Sequence, residues 1–447
     1  MSSPTLEIDA SALRRGLLFA PVSKSDAVRA LVLAHALGWP ELVEAVCCAD
    51  AELPADVCRV RDGLAALSRA HREPVEVDCA DGAAPFRFLL AQAAVCDGAH
   101  VGFTGTARLA ERPHGPLFEA LARTLGSSGL RLGAPGRWPL AVRGAARAPA
   151  PVFRVSGAES SQFASSLVLA AAGLARREGR PWAVEHEGPM VSRGYFELTV
   201  DWAARCGVPL ERRPGGVLVW PAEPRAAVPP LPRDASSLAY LLLLSWKSGA
   251  CVTGLSSSEP HPDTAMLDHL AALGLSLEPL EAGTLRVVGR ARGGLRASAA
   301  AAPDLVPTLA ALACVLDAPS VFTEVGLLKA KESDRLEGTL SLARAAGAAA
   351  RLDADTLTIS PRDSGPAAFT FSSRGDHRLA MSAATLAVLV GARLQLLEPD
   401  CVGKSFPGFW AQLEKVARVT EGAGSSARAL ANHAEASSAT NSATAPS

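Results

Sequence analysis

The chain has 447 residues, 49% of them hydrophobic and 20% charged, with a formal net charge of −1. That length exceeds one ordinary core and predicts two domains of about 200 residues each. The balanced charge, the 5% aromatic content and the lack of any run of about 18 uncharged apolar residues exclude a nucleic-acid footprint and a membrane-spanning helix.

Met1 to Leu17 carries Glu7 and Asp9 and no signal-peptide core, so a cytoplasmic protein is expected. Next, Pro21-Val22-Ser23-Lys24-Ser25-Asp26 precedes Ala27 to Leu37, a predicted helix apolar apart from Arg29 and His35. A helix apolar on so many sides must be buried. Its N-terminal N–H groups and dipole, with Ser23, Ser25, Lys24 and Arg29, suit a phosphate or carboxylate; a plain serine cap beside two surface cations is the alternative.

The pattern recurs along the chain. Asp81-Gly82-Ala83-Ala84 precedes Pro85 to Val95, and Ser160-Ser161-Gln162 precedes Phe163 to Ala172. Asp234-Ala235-Ser236-Ser237 opens Leu238 to Trp246, Pro303-Asp304 opens Leu305 to Leu316, and Asp376-His377-Arg378 opens Leu379 to Val390. Six polar-headed, apolar-bodied helices at intervals of roughly seventy residues mark a repeated supersecondary unit. Short apolar or alternating runs between them, Val75 to Val77, Val152 to Val155, Val217 to Val219, Leu285 to Val288 and Leu357 to Ile359, predict strands and an α/β fold.

Pro221 to Pro232 reads as a linker with three polar-headed helices on each side. Further on, Ala330-Lys331-Glu332-Ser333-Asp334-Arg335 packs two cations and two carboxylates before a helix predicted over Leu336 to Ala345. Lys331, Glu332 and Arg335 can converge there on one ligand, or form a solvated charged face. His377, between Asp376 and Arg378, stands out among the nine histidines, whereas His35 reads as a core residue. The nine cysteines form no CxxC pair or Cys/His ligand spacing and predict reduced thiols, with no metal site. Glu421 to Ser447 lacks large apolar residues and is expected to be a disordered tail.

Five of these stretches, in series, resemble the EPSP synthase (3-phosphoshikimate 1-carboxyvinyltransferase) family: Pro21 to Ser25 with Arg29, Ser160 to Gln162, Lys331 to Arg335, Asp376 to Met381, and Lys404-Ser405-Phe406-Pro407. The resemblance runs from about residue 4 to 417. It implies a two-domain inside-out α/β barrel-like fold, each domain three βαβαββ repeats with buried parallel helices and the active site in the interdomain cleft. Residues 1–20 with 233–420 would form one domain and 22–231 the other. The implied reaction moves the enolpyruvyl group of phosphoenolpyruvate to the 5-hydroxyl of shikimate 3-phosphate and releases phosphate. Such an enzyme works without metal or organic cofactor and is expected to be monomeric, with these two small molecules as its only partners.

The resemblance also assigns roles. Shikimate 3-phosphate would meet Ser160, Ser161, Ser192 and Lys331 through its phosphate, and Ser25, Arg29, Gln162 and Tyr195 elsewhere. Phosphoenolpyruvate would meet Lys24, Ala83, Arg112, Gln162, Arg335, Arg378 and Lys404. Asp304, assisted by Lys24, would handle the hydroxyl proton and Glu332 the methylene proton, although Asp304 also reads as a helix N-cap; Asp234 and Asp334 read as structural.

Asp81-Gly82-Ala83-Ala84-Pro85-Phe86-Arg87 departs from the family's Asn/Asp-Ala/Ser-Gly-Thr-Ala-Met-Arg pattern. Ala83 places a methyl group where a glycine admits phosphoenolpyruvate, which implies insensitivity to the bulkier glyphosate. Transfer to UDP-N-acetylglucosamine is disfavoured because Arg108 to Leu117 lacks the loop cysteine of that family. A homologue that binds a phosphorylated ligand without turnover, or acts on a different alcohol, is the alternative.

Overall fold

A computed structural model describes residues 4–126, 131–132, 138–145, 150–255 and 261–422. The core is double. One hydrophobic cluster runs from Ala27 to Val219, and the other joins Leu6 to Ala20 with Leu238 to Ala417.

Five four-stranded sheets surround these cores among the described residues. Val75–Asp78 pairs parallel with His100–Thr104, and Val152–Ser156 pairs parallel with Trp182–Glu187. In each of these units a long helix makes the crossover and an antiparallel hairpin closes the sheet. The other three sheets belong to the second cluster, and the N-terminal segment completes two of them. Leu17–Phe19 lies parallel to Cys251–Thr253, and Thr5–Asp9 sits between Arg393–Leu397 and Arg418–Glu421. The chain therefore starts in the second body, builds the first, and returns.

The sixth expected unit differs. After the first apolar helix the chain forms a further helix, Pro40–Cys47, beginning at a proline whose fixed φ suits a first helical turn. Leu42 and Val46, four apart, are its fully buried residues while Glu44 between them is exposed, a pattern that suits a helix face and not a strand face, which Glu44 would share.

The six predicted apolar helices are all present, and most begin earlier than the apolar pattern suggested. They span Lys24–Leu37, Ala83–Val95, Ser161–Glu178, Ala235–Ser248, Val306–Ala313 and His377–Val390. The early starts come from polar caps: Ser23 accepts from Asp26 N, Ser160 from Gln162 N, Asp234 from Ser237 N and Asp376 from Arg378 N. Inside, nearly every side chain is buried, and each enclosed leucine, such as Leu31, Leu33 and Leu243, contributes roughly 2 kcal/mol. With their bodies enclosed by the cores, these helices carry their hydroxyls and cations at the N-termini, where the polar groups are themselves mostly buried.

Arg418–Glu421 carries the last strand to Glu421, one residue into the expected tail; residues 423–447 lie outside the described residues. No helix among the described residues is long and apolar enough to cross a membrane.

Candidate active site

The helix N-termini of the two bodies face a common cleft of about 750 Å³, open solvent included. Thirteen of the expected residues line it: Lys24, Ser25, Arg29, Ala83, Arg112, Ser160, Ser161, Gln162, Ser192, Tyr195, Asp304, Lys331 and Glu332. Arg335, Arg378 and Lys404 stand directly behind, each paired to a carboxylate of the lining.

On the first body, Lys24 Nζ lies 3.3 Å from Asp56 Oδ2. The Arg29 guanidinium is fully engaged: Nε donates to Thr199 Oγ1 (2.8 Å), Nη1 to the Ser25 carbonyl (2.6 Å) and Nη2 to the Tyr195 carbonyl (2.9 Å). It thereby fixes two lining residues to one another, and its burial lowers its pKa to about 10. Ser192 is held in the left-handed region at φ 53°, a strained conformation for a serine, and its N–H reaches the Ala300 carbonyl of the opposite body at 2.7 Å.

On the second body, Arg335 is 1% exposed and serves three carboxylates. Its Nη1 lies 2.9 Å from Asp304, its Nη2 2.6 Å from Glu332 and its Nε 2.9 Å from Asp376. Arg378 Nη2 lies 2.6 Å from Asp304 Oδ2, and Lys404 Nζ bridges Asp81 (2.7 Å) and Glu332 (3.3 Å). From the first body, Arg112 Nη1 approaches Glu332 at 3.5 Å. The Tyr195 hydroxyl spans the bodies, 3.3 Å from Asp263 and 3.4 Å from Asp304.

Burial would raise the Asp304 carboxyl, but Arg378, Arg335 and Lys331 outweigh it and hold the group below its ordinary range. Glu332 is likewise pushed up by burial and pulled well down by Lys404, Arg112 and Arg335. Both are carboxylates here. Lys331 moves the other way: burial outweighs Asp304 and brings the ammonium down to about 8. Burial, Lys24 and Arg378 keep His377 neutral, and both its ring nitrogens, like Arg112 Nε, have no hydrogen-bond partner among the described residues. Such buried, unspent polar atoms beside a cleft suit a ligand.

Asp304 corrects one expectation. The N-cap of its helix is Leu305, with no side-chain cap, because Asp304 turns to the two arginines instead. Asp234 and Asp334 do cap helices, accepting from Ser237 and Glu337 N–H at 2.7 and 3.0 Å.

Two contributors escaped the sequence reading of the site. Arg87, 2% exposed, donates to Gln162 Oε1 (2.8 Å), Ser160 Oγ (3.3 Å), His114 Nδ1 (3.3 Å) and the Pro113 carbonyl. Asp56 holds Lys24 from an amphipathic helix, Ala55–Leu67. Nothing local to Asp56 distinguishes it from a surface carboxylate; Arg87 carried a signal, the one charged residue inside an otherwise uncharged, mostly apolar helix.

Two separately cored bodies enclosing a cleft of converging cations, hydroxyls and two buried carboxylates define a transferase-type site for small anionic substrates. The profile of EPSP synthase (3-phosphoshikimate 1-carboxyvinyltransferase) matches residues 49–413. The chain belongs to the EPSP synthase family. It is 34% identical over 424 residues to the 3-phosphoshikimate 1-carboxyvinyltransferase of Methanoculleus marisnigri, covering 88% of this chain and 95% of that one. Against the protein of the same name from Bordetella petrii it is 32% identical over 433 residues, covering 91% and 96%. Among solved structures, EPSP synthase from Acinetobacter baumannii superposes with a TM-score of 0.68 at 18% identity, covering 93% of this chain and all of the other. The enolpyruvyl transferase NikO from Streptomyces tendae gives 0.65 at 15%, covering 94% and 99%. At these identities the likeness shows the fold, a two-domain inside-out α/β architecture.

Proposed function

We propose that this protein transfers the enolpyruvyl group of phosphoenolpyruvate to the 5-hydroxyl of shikimate 3-phosphate, a step toward chorismate and the aromatic amino acids. The observation that carries the proposal is the meeting of Lys24, Asp304 and Glu332 in one cleft with Arg112, Lys331, Arg335, Arg378 and Lys404 around them. Five cations without an anionic ligand repel one another. Asp304 and Glu332 pair with these cations and offset that repulsion, and substrate anions would compete for the same donors.

The 5-hydroxyl oxygen bonds to C2 of phosphoenolpyruvate while its proton leaves toward Asp304, next to the Lys24 side. C3 gains a proton from Glu332 and becomes a methyl group. The C2–O bond to phosphate then breaks as the proton held on Asp304 passes to the departing phosphate oxygen, Glu332 takes a methyl proton back, and the enol ether and inorganic phosphate leave. Substrate phosphate and carboxylate draw Arg335, Arg378 and Lys404 off Asp304 and Glu332, which raises both carboxyls toward the range proton transfer requires. Phosphoenolpyruvate is assigned to Lys24, Ala83, Arg112, Gln162, Arg335, Arg378 and Lys404. Shikimate 3-phosphate is assigned to Lys24, Ser25, Arg29, Ser160, Ser161, Gln162, Ser192, Tyr195, Asp304 and Lys331.

Residues 1–20 with 233–420 and residues 22–231 are the proposed domains, in keeping with the two hydrophobic clusters. A monomer acting in the cytoplasm completes the proposal. Mass spectrometry of the organic product tests it: incubation with both substrates gives shikimate 3-phosphate enlarged by one enolpyruvyl group. Consumption of phosphoenolpyruvate with another alcohol only would replace the acceptor.

A further inference from the structure

We infer that Arg108 is an interdomain latch that sets the position of Lys331 and Glu332, and so a positioning residue for the reaction proposed above, on which its catalytic consequence rests. Arg108 stands on the short helix Ala107–Glu111 of the first body. Its Nη2 donates to the Lys329 carbonyl at 2.6 Å and its Nε to the Lys331 carbonyl at 3.1 Å, both on the second body. Its Nη1 meets Glu111 on its own helix at 3.2 Å.

Both ends of this contact are anchored. Leu109 is fully buried in the first core, Thr106 caps the helix through Leu109 N–H, and the Trp138 indole donates to the Thr106 carbonyl. On the other side, Lys329 and Ala330 end a 3-10 helix, Val325–Ala330, whose Leu328 is fully buried in the second core. Carbonyls at a helix C-terminus lack partners within the helix and carry partial negative charge, so a guanidinium is well matched to them.

The segment so gripped carries Lys331 and Glu332 into the cleft. The same short helix ends at Arg112, which meets Glu332 at 3.5 Å. One helix thus holds the segment's backbone at one end and its carboxylate at the other. Whenever the bodies part, both contacts are lost together, and Lys331 and Glu332 leave the reach of Ser160, Ser161 and Arg112. Arg108 itself is one-third exposed, 34% for its side chain, and meets the lining residue Lys331 through that residue's backbone carbonyl.

The test compares Arg108→Gln with Glu111→Gln, which loses only the exposed pair within the helix. Small-angle scattering on the ligand-free proteins reads the latch without reference to any reaction. Arg108→Gln is expected to show a larger radius of gyration than wild type, and Glu111→Gln an unchanged one. With substrates, Arg108→Gln is expected to raise KM for phosphoenolpyruvate by about tenfold with a smaller fall in kcat, the effect of losing about one charge-assisted hydrogen bond from the closed state. Arg108→Lys, which can reach one carbonyl, should recover part of that loss. An Arg108→Gln protein as compact as wild type overturns the latch. A larger radius with unchanged KM overturns the positioning role. Wild-type inactivity would instead strike the proposed reaction and leave the scattering result standing.

Discussion

Arg378 Nη2 and Arg335 Nη1 grip the two oxygens of Asp304 at 2.6 and 2.9 Å, so the cations proposed to bind substrate are held on the carboxylate proposed as proton acceptor. Loading the cleft must transfer those cations from protein to ligand. Asp304→Asn removes the proton acceptor while preserving shape, and kcat is expected to fall by about 10²–10⁴-fold. Steady-state phosphate release checks it.

Lys331 links ligand affinity to pH. Its ammonium sits at about 8 without ligand, and a bound phosphate raises it, because the charged form is then favoured. Above pH 8 Lys331 is mostly neutral in the free protein and binding must take up a proton. The Kd for shikimate 3-phosphate should rise by about tenfold per pH unit from there. Titration calorimetry across pH checks this, and Lys331→Arg should flatten the profile.

Acid stability depends partly on His114. Burial, then the neighbouring Arg87, lowers its pKa to about 3, against 6.5 ordinarily. Between these values the unfolded chain binds a proton that the folded protein refuses, so stability falls as pH drops from 6.5 toward 3. The slope is about 1.4 kcal/mol per pH unit for this one proton. Denaturant unfolding at several pH values should show a shallower acid slope in His114→Gln.

Gly82 is placed for closeness. A Cβ there would lie 2.9 Å from Asp56 Oδ1, 2.8 Å from Pro85 Cγ and 3.1 Å from the Cys79 carbonyl. Gly82→Ala is expected to displace Asp56 from Lys24, lower activity, and destabilise the fold by roughly 1–3 kcal/mol. Chemical denaturation and kcat measured on the same preparation check both effects.

Ala83, buried to 2% exposure, lines the cleft with its methyl group. Glyphosate should therefore inhibit poorly, and Ala83→Gly should increase its potency. Nanomolar or low-micromolar inhibition of the wild type would contradict this.

The site was legible where chemistry is local. Ser23, Ser160, Asp234 and Asp376 advertise helix starts through their own caps, and each start lies beside an apolar body that has to be buried. Asp56 was not legible, because its role depends on meeting Lys24 across two helices. The Pro40–Cys47 helix went unread because Leu42 and Val46 alone, four apart, say little until they are seen packed. Asp304 misled for a related reason: its preference for a cap is a local rule, and two arginines distant in sequence overruled it.

Phosphate release from purified protein supplied with shikimate 3-phosphate and phosphoenolpyruvate, each omitted in turn, tests the central claim most directly, with Lys24→Met as control. The account predicts release that requires both substrates and is lost in the control. No release with both present, or release that Lys24→Met retains, would contradict it.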